Sequence, residues 1–404
     1  MKNIILLTID VLRKDVLGCY GNTSRLTPFI DSLQNKCIKF TRAQACGPYT
    51  QASFPGILTS SYYLEYGKTK GLSPQRKLVS ELLKQAGIVT AAFHSNPYLS
   101  DFLGWNRGWD IFYDSMEEEV DDKTPYIKGD VMNGKIAKWL SSYTQHGEYE
   151  PFFLWLHYMD VHEPYIPERK YIDIIDPSIT IGQDEMYNLF KDVLLKRDVS
   201  DKGSIKLLKK LYYAHIREVD DYIKEFYSIL KKFALLQDSI IIITADHGDE
   251  FDEHGGLSHH DDKLYSELIN IPLLIYDSSK DKGEVCDKLI SNVDISPTII
   301  HLFGLDPVAN FEGYSLLPLA DYPEKGCFGE AGDQRSEQGR DIENDIYYYR
   351  EQDLKVIYRA KVNTWEMYNL KADPKELNNI VNISPDVERL KNKLKPRVRR
   401  WTSK

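Results

Sequence analysis

Short unbroken apolar runs alternate along this chain with segments of helical spacing. "NIILLTI", "IVTAAFH", "PFFLWLHYM", "DSIIIITA" and "IPLLIYD" each hold a handful of consecutive apolar residues, as strands buried on both faces do. Between them stand amphipathic stretches. "LTPFIDSLQNKC" spaces Phe29, Ile30 and Leu33 on one helical face, with Thr27-Pro28 as an N-cap followed by proline at the first position. "KLVSELLKQAG" closes on Gly87, and "GKIAKWLSSY", "YYAHIREVDDYIKEFYSILKKF" and the capped "DISPTIIHLFGL" continue the series. Helices feeding buried strands predict an α/β sandwich built on a mostly parallel central sheet flanked by helices. Beyond about residue 320 the texture changes. "DIYYYR", "LKVIYRA" and "TWEMYNL" read as short antiparallel strands before a charged terminal helix. The expected organisation is a large α/β unit over residues 1–320 and a small C-terminal α+β subdomain over 321–404.

Composition narrows the function more than the fold. The 51 Lys and Arg against 61 Asp and Glu leave a net charge of −10, which argues against a broad nucleic-acid or anionic-membrane surface. The basic stretch "RLKNKLKPRVRRW" reads as a solvated terminal helix. No apolar run approaches the ~20 residues of a membrane span. Five scattered cysteines without a CxxC pair suggest reduced thiols and a cytoplasmic location. The expected partner is a small molecule, with no nucleic acid and no membrane; association into a homo-oligomer is left open.

In an open α/β sheet, ligands bind beyond the carboxyl ends of the strands. The first strand ends at Asp10, and "IIIITA" ends at Asp246-His247-Gly248. "FFLWLHYMD" supplies His157 and Asp160 and leads to His162, while "TAAFH" runs into Ser95-Asn96-Pro97. Singly, Asp10 and Asp246 read as turn caps, and His157 as a packing residue at a strand end. Together, the carboxylates would repel one another unless a divalent cation lay between them. Asp/Asp/His is a suitable ligand set for one.

"IDVLRKDVLGCYG", "LTPFIDSL", "GPYTQASFPGILTS", "HYMDVHEPY", "ADHGDEFDEHG", "LYSELINIPLLIY", "VDISPTIIHLFGL" and "WEMYNLKADPKELNNI" follow one another in an order that resembles the sulfatase family of the alkaline phosphatase superfamily. The resemblance runs from residue 3 to about 380. It implies the alkaline-phosphatase/sulfatase-like sandwich and a hydrolase of phosphate, phosphonate or sulfate esters. In that family the segment near residue 50 has the form C/S-x-P-S/A-R ahead of a helix. The same positions here are Thr50, Ala52, Ser53 and Phe54. Threonine cannot become the formylglycine aldehyde of sulfatases. The resemblance therefore implies Thr50 as a direct nucleophile, with a helix-capping threonine as the alternative.

Carried over position by position, Asp10, Asp246, His247 and Thr50 become ligands of one divalent metal ion. Val11 stands where the family has a second Asp, and His247 where it commonly has Asn. An imidazole in place of an oxygen ligand favours Mn²⁺ or Zn²⁺, with Ca²⁺ or Mg²⁺ as alternatives. His162 is the expected contact to the anionic ester group, and His259 or His260 the acid for the leaving group. Asn96, His259 and Ser53 are the expected substrate contacts. Arg13 and Asp15 are expected to brace the first loop, and "EFDEHGGLSHHDD" offers ligands for a second ion. Alternative functions are group transfer to an alcohol acceptor and a catalytically silent binding protein. The leaving group depends on loops near residues 60–75, 98–125 and 165–205, whose sequences carry no readable code.

Overall fold

Strand by strand, the computed structural model follows the apolar runs; it describes residues 1–66, 71–145, 149–259, 262–306, 308–332 and 344–402. In chain order the strands are β1 (Asn3–Ile9), β2 (Cys37–Gln44), β3 (Val89–His94), β4 (Ile111–Asp114) and β5 (Phe152–Tyr158). Next come β6 (Ser239–Ala245), the short pair β7 (Glu250–Phe251) and β8 (Leu257–Ser258), β9 (Leu273–Asp277) and β10 (Glu284–Ser291). The last four are β11 (Cys327–Ala331), β12 (Ile346–Glu351), β13 (Leu354–Arg359) and β14 (Thr364–Asn369).

Eight strands form the central sheet in the order β10-β2-β9-β6-β1-β5-β3-β4. Every residue of β1 and β5 is buried, as continuous apolar runs in a doubly covered sheet require. Strand β9 pairs antiparallel with both β6 and β2, so it runs against the rest of a mostly parallel sheet. Because β1 lies between β6 and β5, the chain winds away in both directions from the sheet centre, where such folds place their ligands. The pairings Ile9↔Ala245 and Ile9↔Tyr158 set Asp10 level with Asp246, one residue beyond the ends of two adjacent strands.

The helix predicted at Pro28 is present as Pro28–Ser32 with Thr27 at the N-cap, but the threonine side chain makes no capping bond. Asp220, on the long helix Lys202–Lys232, accepts instead from the N–H groups of Phe29 and Ile30 at 2.8 and 2.9 Å. A long-range carboxylate has replaced the local cap. The same long helix buries Glu218, whose carboxylate accepts from Lys128 Nζ at 2.8 Å and from the Tyr222 hydroxyl at 2.9 Å. Burial alone would raise its pKa, but His215 and Lys128 outweigh it and hold it down to about 2. A folded-state pKa below the unfolded one gives stability that is complete above the unfolded value and is lost as pH falls through the folded value. A depression of this size is worth about 3 kcal/mol at most. Thermal melts between about pH 6 and pH 2.5 are therefore expected to show a melting temperature that falls less steeply with acid in Glu218→Gln than in wild type. Equal slopes would show that the ion pair contributes nothing.

The C-terminal strands form an antiparallel sheet, β11-β12-β13-β14, as the tyrosine-rich runs predict. It reaches the segment before Thr50: the Tyr348 hydroxyl donates to the Ala45 carbonyl at 2.8 Å, and Glu330 N–H to the Cys46 carbonyl at 2.8 Å. The last helix, Val387–Thr402, is only partly solvated. Its Leu390 and Leu394 are buried against the sheet, and the basic residues lie among them at helical spacing.

Candidate active site

Asp10, Asp246 and His247 meet at the C-terminal ends of β1 and β6, all three fully buried. Asp10 Oδ1 lies 3.5 Å from His247 Nε2, and Asp246 Oδ2 lies 3.4 Å from the same nitrogen. None of these three atoms has a hydrogen-bond partner among the described residues. The His247 tautomer is set by its other nitrogen: Nδ1 lies 2.9 Å from the Gly248 carbonyl, which can only accept, so Nε2 is left with its lone pair. Ligands about 2.1 Å from a tetrahedral ion are themselves about 3.4 Å apart. The spacing, the orphaned atoms and the tautomer all fit a divalent cation.

The electrostatics agree. Burial and the nearby Asp10 raise the Asp246 pKa far above the ordinary range. Burial opposes ionisation of Asp10 as well, but His157, His162 and His247 outweigh it and hold that carboxyl well below the usual range. Burial and the neighbouring His259 push His247 down to about 3, so it stays a neutral ligand. Two adjacent buried carboxyls of which only one ionises readily form a pair whose repulsion a bound divalent cation would relieve.

Thr50 stands at the first turn of the helix Thr50–Thr59, beside this cluster. The N-cap is Tyr49 and no side chain caps the helix, so the threonine does not act as a cap. Its Oγ1 instead accepts from Asn96 Nδ2 at 3.3 Å, and the same amide nitrogen donates to Asp10 Oδ2 at 2.9 Å. Asn96 Oδ1 accepts from Tyr98 N–H at 3.0 Å, which fixes the amide orientation. The helix also turns its positive dipole end toward the hydroxyl.

Ser53 sits one turn further along and faces away from this chemistry. Its hydroxyl donates to the Asp246 carbonyl at 2.6 Å and accepts from Asn292 Nδ2 at 2.7 Å. It is fully buried and ties the helix to the Asp246 loop, in place of the substrate contact expected of it. Phe54, at the family's arginine position, packs edge-on to His157 with ring centroids 5.0 Å apart. Gly248 is a position where only glycine fits, because a Cβ there would sit 2.1 Å from the Glu267 carbonyl oxygen.

His162 and His259 stand over the cluster. Their ring centroids are 5.2 Å apart, and the His259 ring lies 4.8 Å from that of His247. His259 Nδ1 is 3.5 Å from Asp249 Oδ1 and 3.9 Å from Glu163 Oε2. Burial works against a charged imidazole there, but Glu163 and Asp249 outweigh it and push His259 up to about 9. His260 lies outside the described residues. Sequence reasoning passed over Glu163, Asp249 and Asn292. The first two lie inside quoted motifs and could have been found there, whereas nothing in the sequence ties Asn292 to Ser53.

The loop after β1 is braced as expected. Arg13 donates to both Asp15 oxygens at 2.9 and 2.7 Å, and its Nη1 reaches Glu253 at 2.7 Å. Val11 has φ 49°, a strained value for a β-branched residue, and the Tyr212 hydroxyl donates to its carbonyl at 2.8 Å. In the predicted second-ion segment, Glu250, His254 and the nearby Glu267 bring ligand atoms within 4.8 Å of one another, while His260 and Asp261 lie outside the described residues. Glu250 accepts from Lys263 at 2.7 Å and from the His254 and Gly256 N–H groups at 2.8 and 2.9 Å. A cavity of about 470 Å³ opens beside this braced region, lined by Arg13, Asp15, Glu253, His254 and Glu267, and Asp10, Thr50, Asn96, Asp246, His247 and His259 are not among its lining residues.

Residues 2–305 match the family model described as Sulfatase. The chain belongs to the sulfatase family. Residues 253–404 match a second model, N-sulphoglucosamine sulphohydrolase, C-terminal. This sulfatase-family chain is similar to the N-acetylglucosamine-6-O-sulfatase of Bacteroides thetaiotaomicron, at 25% identity over 94% of this chain and 82% of that protein. It is similar also to the arylsulfatase of Clostridium perfringens, at 23% identity over 96% and 92% of the two chains. The phosphonate monoester hydrolase of Agrobacterium radiobacter shares the fold, with a TM-score of 0.80 at 18% identity, covering 100% of this chain and 96% of the other. The family consists of ester hydrolases that generally use a divalent metal ion, and this chain is an ester hydrolase.

Proposed function

We propose that the chain is a metal-dependent hydrolase in which Thr50 Oγ1 attacks an anionic phosphate, phosphonate or sulfate ester and carries the group as a covalent intermediate. One observation supports this reading: three buried ligand atoms without a partner among the described residues lie together, and Asn96 ties them to Thr50 by donating both to Asp10 and to the threonine hydroxyl. Asp10, Asp246, His247 and Thr50 would hold the ion, with Mn²⁺ or Zn²⁺ favoured by the imidazole ligand. When bound, such an ion supplies a Lewis acid beside the threonine hydroxyl.

The rest falls to the chain's own residues. Asn96 fixes the hydroxyl by donating to it, and the helix N-terminus favours the negative charge of the approaching ester. Thr50 Oγ1 gives up its hydroxyl proton to solvent and bonds to phosphorus or sulfur as the bond to the leaving oxygen breaks. His259, kept protonated by Glu163 and Asp249, is positioned to give its proton to that oxygen. His162 contacts the anionic group. Water then attacks the phosphorus or sulfur, gives its proton to the now neutral His259, and the bond to Thr50 Oγ1 breaks as the threonine is reprotonated from solvent.

Phosphorus esters are favoured over sulfate esters, because Thr50 cannot form the aldehyde hydrate on which sulfatases rely. The buried, unpaired cysteines support a reducing, cytoplasmic location. The reading is tested with the protein loaded with Mn²⁺ or Zn²⁺ and given nitrophenyl phosphate, phosphodiester, phosphonate and sulfate esters. The expected result is kcat/KM at least about tenfold higher on one of the phosphorus esters than on the sulfate. A sulfate ester turned over fastest would overturn the preference, and no turnover of any ester would favour the silent binding protein.

A further inference from the structure

His157 takes no part in the chemistry above, yet it is bound into a buried chain of polar contacts that ends on Asp10. Trp155 Nε1, which can only donate, gives its hydrogen to Thr8 Oγ1 at 3.0 Å. Thr8 Oγ1 in turn lies 2.9 Å from His157 Nδ1 and 3.4 Å from the Leu156 carbonyl. On the far side of the ring, His157 Nε2 lies 3.3 Å from Asp10 Oδ2. Trp155, Thr8, His157 and Asp10 are all at 0% exposure, so water does not compete for these atoms. The parallel register sets Thr8 directly opposite His157, which makes the contact a consequence of strand pairing.

Of the two neutral tautomers, only one gives every atom a favourable neighbour. Thr8 accepts from Trp155 and donates to Nδ1, and the imidazole then carries its hydrogen on Nε2, facing the carboxylate. The opposite tautomer would turn a bare nitrogen lone pair toward an anionic oxygen in a dry interior. Asn96 Nδ2 donates to the same oxygen at 2.9 Å. Asp10 Oδ2 thus accepts from Asn96 on one side and faces the Nε2 edge of His157 at 3.3 Å on the other. Oδ1, with no partner, is the oxygen turned toward His247 and Asp246.

We propose that His157, oriented by Thr8, is a positioning residue for the metal site: it fixes the Asp10 carboxylate so that Oδ1 faces the ion. The inference rests on the metal-site reading of the preceding subsection. The aromatic surroundings give the ring one orientation, with Phe54 edge-on at 5.0 Å and Trp155 near-parallel at 6.2 Å. Outer partners of this kind typically change metal affinity by about 10- to 100-fold when removed.

The test is equilibrium dialysis of metal-stripped full-length protein against Mn²⁺ and against Zn²⁺, in wild type, His157→Phe, His157→Gln and Thr8→Val. His157→Phe keeps the packing but loses the polar edge, and is expected to weaken binding about 10- to 100-fold at unchanged circular dichroism. His157→Gln, whose amide can still donate to Asp10, is expected to keep affinity within about fivefold of wild type. Thr8→Val, which frees the ring to take the other tautomer, is expected to weaken binding about threefold or more. A second readout needs no variant to fold well. In ¹⁵N-histidine-labelled wild type, the His157 resonances are expected to report hydrogen on Nε2. Wild-type affinity in His157→Phe, or a hydrogen on Nδ1 alone, overturns the proposal while leaving the metal site standing. Failure of wild-type protein to bind either ion overturns the metal reading, and the proposal with it.

Discussion

Replacing Thr50 by alanine is expected to lower kcat by roughly 10³-fold or more, with a melting temperature close to that of wild type. The reasoning is geometric. Thr50 is not the helix cap, its hydroxyl contacts Asn96, and its removal takes away the nucleophile without opening the helix end. Thr50→Ser keeps a hydroxyl at the same point and is expected to retain a measurable fraction of the activity. Serine lacks the methyl group that restricts the side-chain rotamer, so part of the rate is lost to misorientation. Thr50→Cys is expected to remain poor as a sulfatase, because Ala52 and Phe54 stand where the family's formylglycine segment carries Pro and Arg. Steady-state kinetics on the best ester of the panel decide the matter. Wild-type turnover in Thr50→Ala would leave Thr50 with no chemical part.

Asp246→Asn is expected to reduce metal affinity by about 100-fold or more, and activity with it, while the fold persists. The substitution is nearly isosteric. Asp246 Oδ1 accepts from His247 N–H at 2.9 Å, and an amide oxygen can keep that bond. What disappears is the negative charge and the free Oδ2 facing His247 Nε2 at 3.4 Å. Because unligated Asp10 and Asp246 oppose each other's ionisation, the amide also relieves strain in the metal-free protein. The variant without metal is therefore expected to melt at or above the temperature of metal-free wild type, while losing most of the stabilisation that added metal gives the wild type. Metal content and melting curves with and without ion check both halves. Full metal stoichiometry in the variant would remove Asp246 from the site.

How much of this was legible in the sequence depended on how local the signal was. Strands β1, β5 and β6 announced themselves because strands buried on both faces need unbroken apolar runs. The acids at their ends then located the site. Strand β2, "CIKFTRAQ", mixes charged and apolar residues and follows a helical pattern directly, so it gave no run to read. The edge strand β10 carries exposed Glu284 and Asp287, as edges do. The direction of β9 was not readable at all, since a short buried strand has the same pattern either way.

The site divides in the same way. Asp10, Asp246 and His247 lie at the ends of strands with clear boundaries. Their convergence followed from topology alone. Ser53 occupies a motif position, but the helix turn aims its hydroxyl at the Asp246 carbonyl, and only coordinates give that direction. His157 reads as packing because it does pack, against Phe54 and Trp155. Its second contact, to Asp10, depends on the register between β1 and β5. Glu163 and Asp249 stand inside quoted motifs, but their closeness to His259 is a relation in space that only the coordinates give.

The central claim is that Thr50 carries the transferred group, and one measurement addresses it without relying on rates. Metal-loaded protein is mixed with a slowly released ester, quenched in acid within the first turnover, and analysed by intact mass and peptide mapping. The account predicts a single phosphoryl, phosphonyl or sulfuryl adduct on the peptide containing Thr50, absent from Thr50→Ala. An adduct on another residue, or turnover with no adduct at any quench time, would contradict it.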